Sequence, residues 1–236
     1  MGDPAGVGPE IILKAFQTGI VEGLCRVLVV GDANLLSSIA SQLSLNSPLN
    51  SISQIEEAKF EQGALDVLDL KNVSNDLEKG KASHEGGKAS LEYIRVATKL
   101  VMDGKAHAVA TGPINKKGIR LAGYLYPGHT EFLAELTGSK DFALMMVGEK
   151  LRVVLATLHV SLQEVSGLLN KSLVEKTIRL THDWLVRHIK SNPKIAVTGL
   201  NPHCGDSEIF GQEESLVIDP VIEYMRNEGI DVEGPF

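Results

Sequence analysis

Three of the seven histidines in this chain stand where an imidazole could meet a ligand. His203 follows the apolar run "KIAVTGLN" (194–201) and comes directly after a proline, at the start of a loop. His159 closes a second run, "LRVVLATLHV" (151–160), and precedes the serine of "SLQE" (161–164). His129 lies in "PGHTEF", before a helix expected from about Thr130. Neutral imidazole is a common metal ligand. Two strand-end imidazoles could begin a metal site, although catalytic zinc normally takes three protein ligands and keeps one position open. The alternative is two unrelated loop histidines. His129 and Thr130 sit at a helix N-terminus, where backbone N–H groups favour a phosphate or carboxylate. In "TGPINKKG" (111–118), Thr111, Gly112 and Lys116 are either a polar lip for an anion or a solvated turn. Cys204, beside His203, is either a ligand or nucleophile or a small thiol filling a loop. His84, His107, His182 and His188 read as surface or satisfied core residues.

These residues need strands that end near one another. Four nearly continuous apolar runs are expected to be strands covered on both faces: 25–32, 107–113, 151–160 and 194–201. In open α/β sheets ligands gather beyond the carboxyl ends of the strands, so His159 and His203 are expected to converge at one edge of a parallel sheet. Helices fall between the runs. Residues 85–103 place Ala89, Tyr93, Val96, Ala97, Leu100 and Val101 on one face. "SLQE" and "SLVE" (172–175) both read as capping boxes, the second opening a long helix to about Lys190. A helix over 211–229 should kink or break at Pro220. Residues 36–54 read as a helix end followed by a surface loop, and "DVEGPF" reads as a loop. "MGDPAGVGPE" reads as a glycine-rich turn that leads into "PEIILKAF" with Pro9 in its first turn. Its glycines are spaced G-x-x-G-x-G, so neither the dinucleotide fingerprint nor a P-loop is present. The strand such a turn should follow is represented by Met1 alone. Strands alternating with helices predict an α/β fold with a mainly parallel sheet and helices on both faces.

The bulk properties narrow the partners. The 236 residues are 43% apolar and carry a net charge of -7 with no basic block, which argues against nucleic acid and acidic membranes. Two isolated cysteines form no disulfide framework and fit a reducing cytoplasm. No signal peptide or membrane span is visible. No repeat or linker marks a boundary, so the chain is either one unit or two subdomains.

Together, "MGDPAGVGPE", "TGPINKKGI", "GYLYPGHTEFLAELTG", "LRVVLATLHVSL" and "GLNPHCGDSEIFGQEE" resemble the 4-hydroxythreonine-4-phosphate dehydrogenases of pyridoxal phosphate biosynthesis. The resemblance implies a fold like that of the isocitrate and isopropylmalate dehydrogenases. It implies dependence on NAD and on a divalent metal (zinc, magnesium or cobalt), and a homodimer with its active site at the interface. It places His129 and Thr130 in substrate binding and His159 and His203 among three metal-binding histidines. The family's third histidine belongs to a later "YHDQG"-type motif, which this chain does not contain. The family's substrate-binding lysine, asparagine and arginine are also absent, and the nicotinamide contacts are unassigned. The chain is thus expected to be an incomplete dehydrogenase unit, lacking the first strand and the C-terminal part, and inactive alone. "HCGDSE" departs from the "HAGEGG" common in relatives. The implied substrate is 4-phosphohydroxy-L-threonine. The alternatives are the sister substrates D-threonate and D-erythronate 4-phosphate, or a catalytically incompetent fragment that keeps only phosphate and metal surfaces.

Overall fold

The structure is a computed structural model that describes residues 1–45, 48–204 and 209–236. The chain divides into two compact units, Met1–Ser139 and Lys140–Phe236. Among the described residues no helix is long and apolar enough to cross a membrane.

The first unit is built on a three-stranded parallel sheet of β1 (Leu28–Gly31), β2 (Leu49–Ile52) and β3 (Leu65–Asp69), in the order β1-β3-β2. Helix α1 (Gly8–Gln17) precedes β1, and α2 (Ala33–Gln42) follows it. The central strand reads "LDVLD" and is buried along almost its whole length, as a strand covered on both faces must be. Its buried aspartate, Asp66, is 2% exposed and accepts bonds from the Asn50 side chain and from the Lys59 and Phe60 N–H groups. That carboxylate fastens the crossover between β2 and β3, and it meets the requirement that buried charge be hydrogen-bonded. Asp32 caps α2 by accepting from Leu35 N–H at 3.0 Å.

Helix α3 (His84–Met102) opens on Ser83, whose side chain accepts from Gly86 N–H. The face expected from the sequence holds except at Val101, which is not part of this cluster: Ala89 and Tyr93 are buried against the sheet, with Val96, Ala97 and Leu100 packed beside them. A second face was not expected. Leu91 and Ile94 are buried with Ile119 of α4 (Lys116–Leu121) and Phe132 of α5 (His129–Thr137). The α3–α4 contact is backbone on backbone, since a Cβ on Gly87 would stand 2.0 Å from the Gly118 carbonyl oxygen.

The second unit contains an antiparallel hairpin, β4 (Leu144–Val147) with β5 (Arg152–Leu155), then α6 (Leu162–Leu168) and α7 (Lys171–His188). Strand β6 (Ile195–Ala196) pairs in parallel with β7 (Val232–Glu233). A π-helical turn, Glu214–Ile218, leads into α8 (Asp219–Asn227), which carries Pro220 in its first turn. Its core joins Val174 and Ile178 of α7 to Ile218, Val221, Ile222, Met225, Ile230 and Val232.

Several expectations are corrected. Residues 36–54 contain the end of α2 and all of β2, because parallel pairing with β3 overrides a Ser- and Asn-rich composition. Residues 107–113 form no strand among the described residues. Among the described residues, the backbone bond from this stretch to a neighbouring segment is Asp3 N–H to the Pro113 carbonyl at 2.8 Å. The 151–160 run is strand only from Arg152 to Leu155, and its partner is antiparallel. The 194–201 run shortens to Ile195–Ala196, and "DVEGPF" supplies its partner β7. "SLQE" is a capping box, but α7 starts one residue before Ser172 and is capped by Asn170, which accepts from Leu173 N–H.

The α3–α4 approach gives a direct test. Gly87→Ala forces two backbones apart and is expected to cost about 1–3 kcal/mol, the usual range for overpacking, despite alanine's better helix propensity. Urea denaturation checks it. An unchanged midpoint would mean that the two helices do not approach this closely.

Candidate functional site

The first-unit site grows from residues 1–3. The Met1 nitrogen donates to the Val30 carbonyl at 2.8 Å, and Asp3 N–H donates to Pro113. Residues 1–3 thus bridge the end of β1 and the segment 112–113. Gly2 has φ 79° and lies so close to that segment that a Cβ would stand 2.5 Å from the Pro113 carbonyl oxygen. Only glycine fits both demands. The Asp3 carboxylate turns back to accept from Ala5 N–H.

Gly112 is then placed to hold His129. The His129 ring is hydrogen-bonded to the Gly112 backbone, while its Nε2 is buried with no hydrogen-bond partner among the described residues. Burial holds the imidazole below its ordinary pKa, so the neutral form is favoured near pH 7. With Nδ1 donating to the Gly112 carbonyl, neutral Nε2 carries the lone pair. It is an acceptor that suits a substrate O–H or N–H. Thr130 follows in the first turn of α5, whose N-cap Gly128 provides no side-chain cap. The helix is pinned from below by Phe132, 1% exposed, with the Tyr126 ring 4.6 Å away and Arg95 over its face. The sequence treated "TGP" and "PGHTEF" as separate features; the ring-to-carbonyl bond joins them. Asn115, not singled out, caps α4 by accepting from Lys117 and Gly118 N–H. Thr111 and Lys116 are exposed beside it.

His159 and His203 both lie in the second unit, and both are exposed. His159 stands four residues beyond the end of β5 with φ 56°, just before the capping box that starts α6. His203 lies in a turn: its N–H donates to Asn201 Oδ1 at 2.9 Å, and the Cys204 N–H donates to the Asn201 carbonyl. Its ring stacks on Phe210, centroids 4.9 Å apart. Of the two expected parallel strands, β6 before His203 is parallel, pairing with β7, whereas β5 before His159 belongs to the antiparallel hairpin. Two exposed imidazoles have the donor chemistry of a divalent-ion site. No group of three or more His, Cys, Asp or Glu side chains suited to a metal occurs among the described residues. The part of "HCGDSE" from Gly205 to Glu208 lies outside them. Cys204 is a free thiol packed toward Gly199.

The buried His129 predicts a pH effect. Its folded pKa is lowered, so the unfolded chain binds the proton more readily, and stability fully present above about pH 6.5 is lost as pH falls from there through the lower folded value. His129→Gln should flatten this part of the profile. Urea midpoints measured on both sides of about pH 6.5 check it. A profile identical in parent and variant would show that the ring titrates as if solvated.

Comparison with known proteins places the whole architecture. The family described as pyridoxal phosphate biosynthetic protein PdxA matches residues 23–236. A 4-hydroxythreonine-4-phosphate dehydrogenase of Trichlorobacter lovleyi is 42% identical over all of this chain and 71% of its own length. A D-threonate 4-phosphate dehydrogenase of Cupriavidus necator is 39% identical, with all of this chain and 71% of the relative covered. The crystal structure of a 4-hydroxythreonine-4-phosphate dehydrogenase from Klebsiella pneumoniae superposes with a TM-score of 0.93 at 39% identity, covering all of this chain and 71% of that one. With its parallel sheet, its motifs and these matches, the chain belongs to the PdxA family of dehydrogenases.

Proposed function

We infer that this chain carries the substrate and metal surfaces of an enzyme that oxidises 4-phosphohydroxy-L-threonine with NAD. The product is a 3-oxo acid that loses CO2 to give 3-amino-2-oxopropyl phosphate. The observation that supports the reading most is the His129 arrangement: a neutral ring oriented by Gly112 with a buried, open Nε2. An amino hydroxy acid offers the O–H and N–H donors that such a nitrogen accepts. Thr130 and the uncapped first turn of α5 can take an anionic group of the substrate. His129 and Thr130 therefore bind and orient, which converts binding energy into a productive alignment. His159 and His203 would hold the divalent ion. When bound, such an ion supplies Lewis-acid stabilisation of charge on a substrate oxygen. NAD, when bound, supplies the hydride acceptor.

A second substrate reading has its own support, because relatives named for D-threonate 4-phosphate match at nearly the same identity as those named for 4-hydroxythreonine-4-phosphate. D-Threonate 4-phosphate has no ammonium, so its contact with Nε2 would come from a hydroxyl alone. NADH formation, followed by absorbance with each substrate, distinguishes them. The assay compares the 236-residue chain with one lengthened by the flanking segments of a relative. Activity with 4-phosphohydroxy-L-threonine is expected in the lengthened chain. No reduction with any of these phosphorylated acids would refute the reading.

The roles of the histidines separate in the same lengthened protein. His203→Ala should weaken metal binding by at least the 10–100-fold seen for losses around metal ligands, read by elemental analysis after dialysis. His129→Ala should raise KM and leave metal content unchanged. Loss of metal in the His129 variant would reverse the assignment.

The second unit also supports a homodimer. Met146 pairs with Val153 across the β4–β5 hairpin, so both lie on one face. Leu144 projects to that face by the two-residue alternation of a strand, and Leu151 immediately precedes β5. All four are exposed, Met146 at 59% and Leu151 at 68%. An apolar stripe of this kind is an association surface, and its proposed occupant is the same face of a second copy. Met146→Glu should shift the lengthened chain from dimer to monomer in light scattering. A dimer that survives the charge would place the interface elsewhere.

A further inference from the structure

The π-helical turn of the second unit carries a buried carboxylate that neither the metal reading nor the substrate reading uses. Glu214 is 3% exposed. Its Oε1 accepts the Leu200 N–H at 2.7 Å, and its Oε2 is buried with no partner among the described residues. A carboxylate is costly to bury unless its bonds do structural or functional work. π turns are rare and concentrate near functional sites; here Asp219 N–H donates to the Glu214 carbonyl and closes the turn.

The bonded partner identifies the work. Leu200 is the residue at which the chain leaves β6 and its extension and enters the turn that bears His203. The Gly199 N–H is taken by the Phe236 carbonyl, and the Leu200 N–H by Glu214. The Asn201 side chain then takes the His203 N–H, and the Asn201 carbonyl takes the Cys204 N–H. Gly199 is enclosed: a Cβ there would stand 2.7 Å from Cys204 Sγ and 3.0 Å from Glu214 Oε1. The carboxylate and the thiol thus both close on Gly199, the residue just before the turn departs at Leu200. Asn201 Nδ2 also reaches the Phe210 carbonyl, and Phe210 is the ring on which His203 stacks.

We propose that Glu214 is the positioning residue for His203, acting through the Leu200 N–H to fix where the histidine-bearing turn leaves the strand. It touches neither substrate nor metal; it sets the origin of the turn. This rests on the reading of His203 as a functional histidine, but its test needs no metal and no substrate.

The test is NMR of the metal-free 236-residue chain, with amide exchange at Leu200 and the nuclear Overhauser contact between the His203 and Phe210 rings as readouts. Glu214→Ala should speed Leu200 exchange about tenfold or more, the scale of one lost hydrogen bond, and abolish the ring contact. Glu214→Gln keeps an acceptor oxygen of the same reach and should restore both. Ile222→Ala, a core truncation in the same unit, supplies the control for general destabilisation, with Ile222→Val taking its place should that chain not fold. It should lower the melting temperature while leaving the ring contact intact. The proposal is overturned if Glu214→Ala and the core variant change Leu200 and the ring contact alike, or if Glu214→Gln fails as Glu214→Ala does. A metal-binding failure of His203→Ala bears on the earlier reading alone.

Discussion

Residues 1–3 hold the first unit's site together through backbone bonds. Their N–H groups donate to Val30 on one side and to Pro113 on the other. Buried backbone groups have to be paired, and this pairing fixes the height of segment 112–113 against the end of β1. The Gly112 carbonyl is thereby held where the His129 ring can bond to it. A glycine at position 2 is the condition for all of it, since the close approach to Pro113 leaves no room for a side chain.

Helix α3 supplies the counterpart in packing. One face lies on the parallel sheet, and the other receives α4 and α5, so the polar first turn of α5 inherits its position from the core. Glycine at the α3–α4 contact trades helix propensity for approach distance. Phe132 then locks α5 from within, and the ring of His129 needs only one hydrogen bond to be oriented. A histidine held this way stays neutral because burial disfavours its charge, which leaves an acceptor in place. The second unit solves the same problem differently. Its short β6–β7 pair gives the His203 turn little support from sheet bonding, and side chains take over: Asn201 within the turn and Glu214 from the π turn.

The sequence by itself determined the fold class, the long amphipathic helix α3, the capping box at Ser161, a helix irregularity (the π turn) just before Pro220 and the motif set that marks the family. Each is a local signal: a period, a cap or a run of fixed residue types. It also picked out His129, Thr130, His159 and His203 by their places after apolar runs or before helices. Tertiary structure decided the rest. β2 has the composition of a loop and becomes a strand because β3 offers it a ladder. The run 107–113 has the composition of a strand and remains outside the sheet, because pairing depends on a neighbour and not on propensity. The second buried face of α3 was invisible because its partners, Ile119 and Phe132, are distant in sequence. The bond between His129 and Gly112 and the grip of Glu214 on Leu200 span 17 and 14 residues respectively. No periodicity reports such contacts; they exist only once the backbone between them has folded.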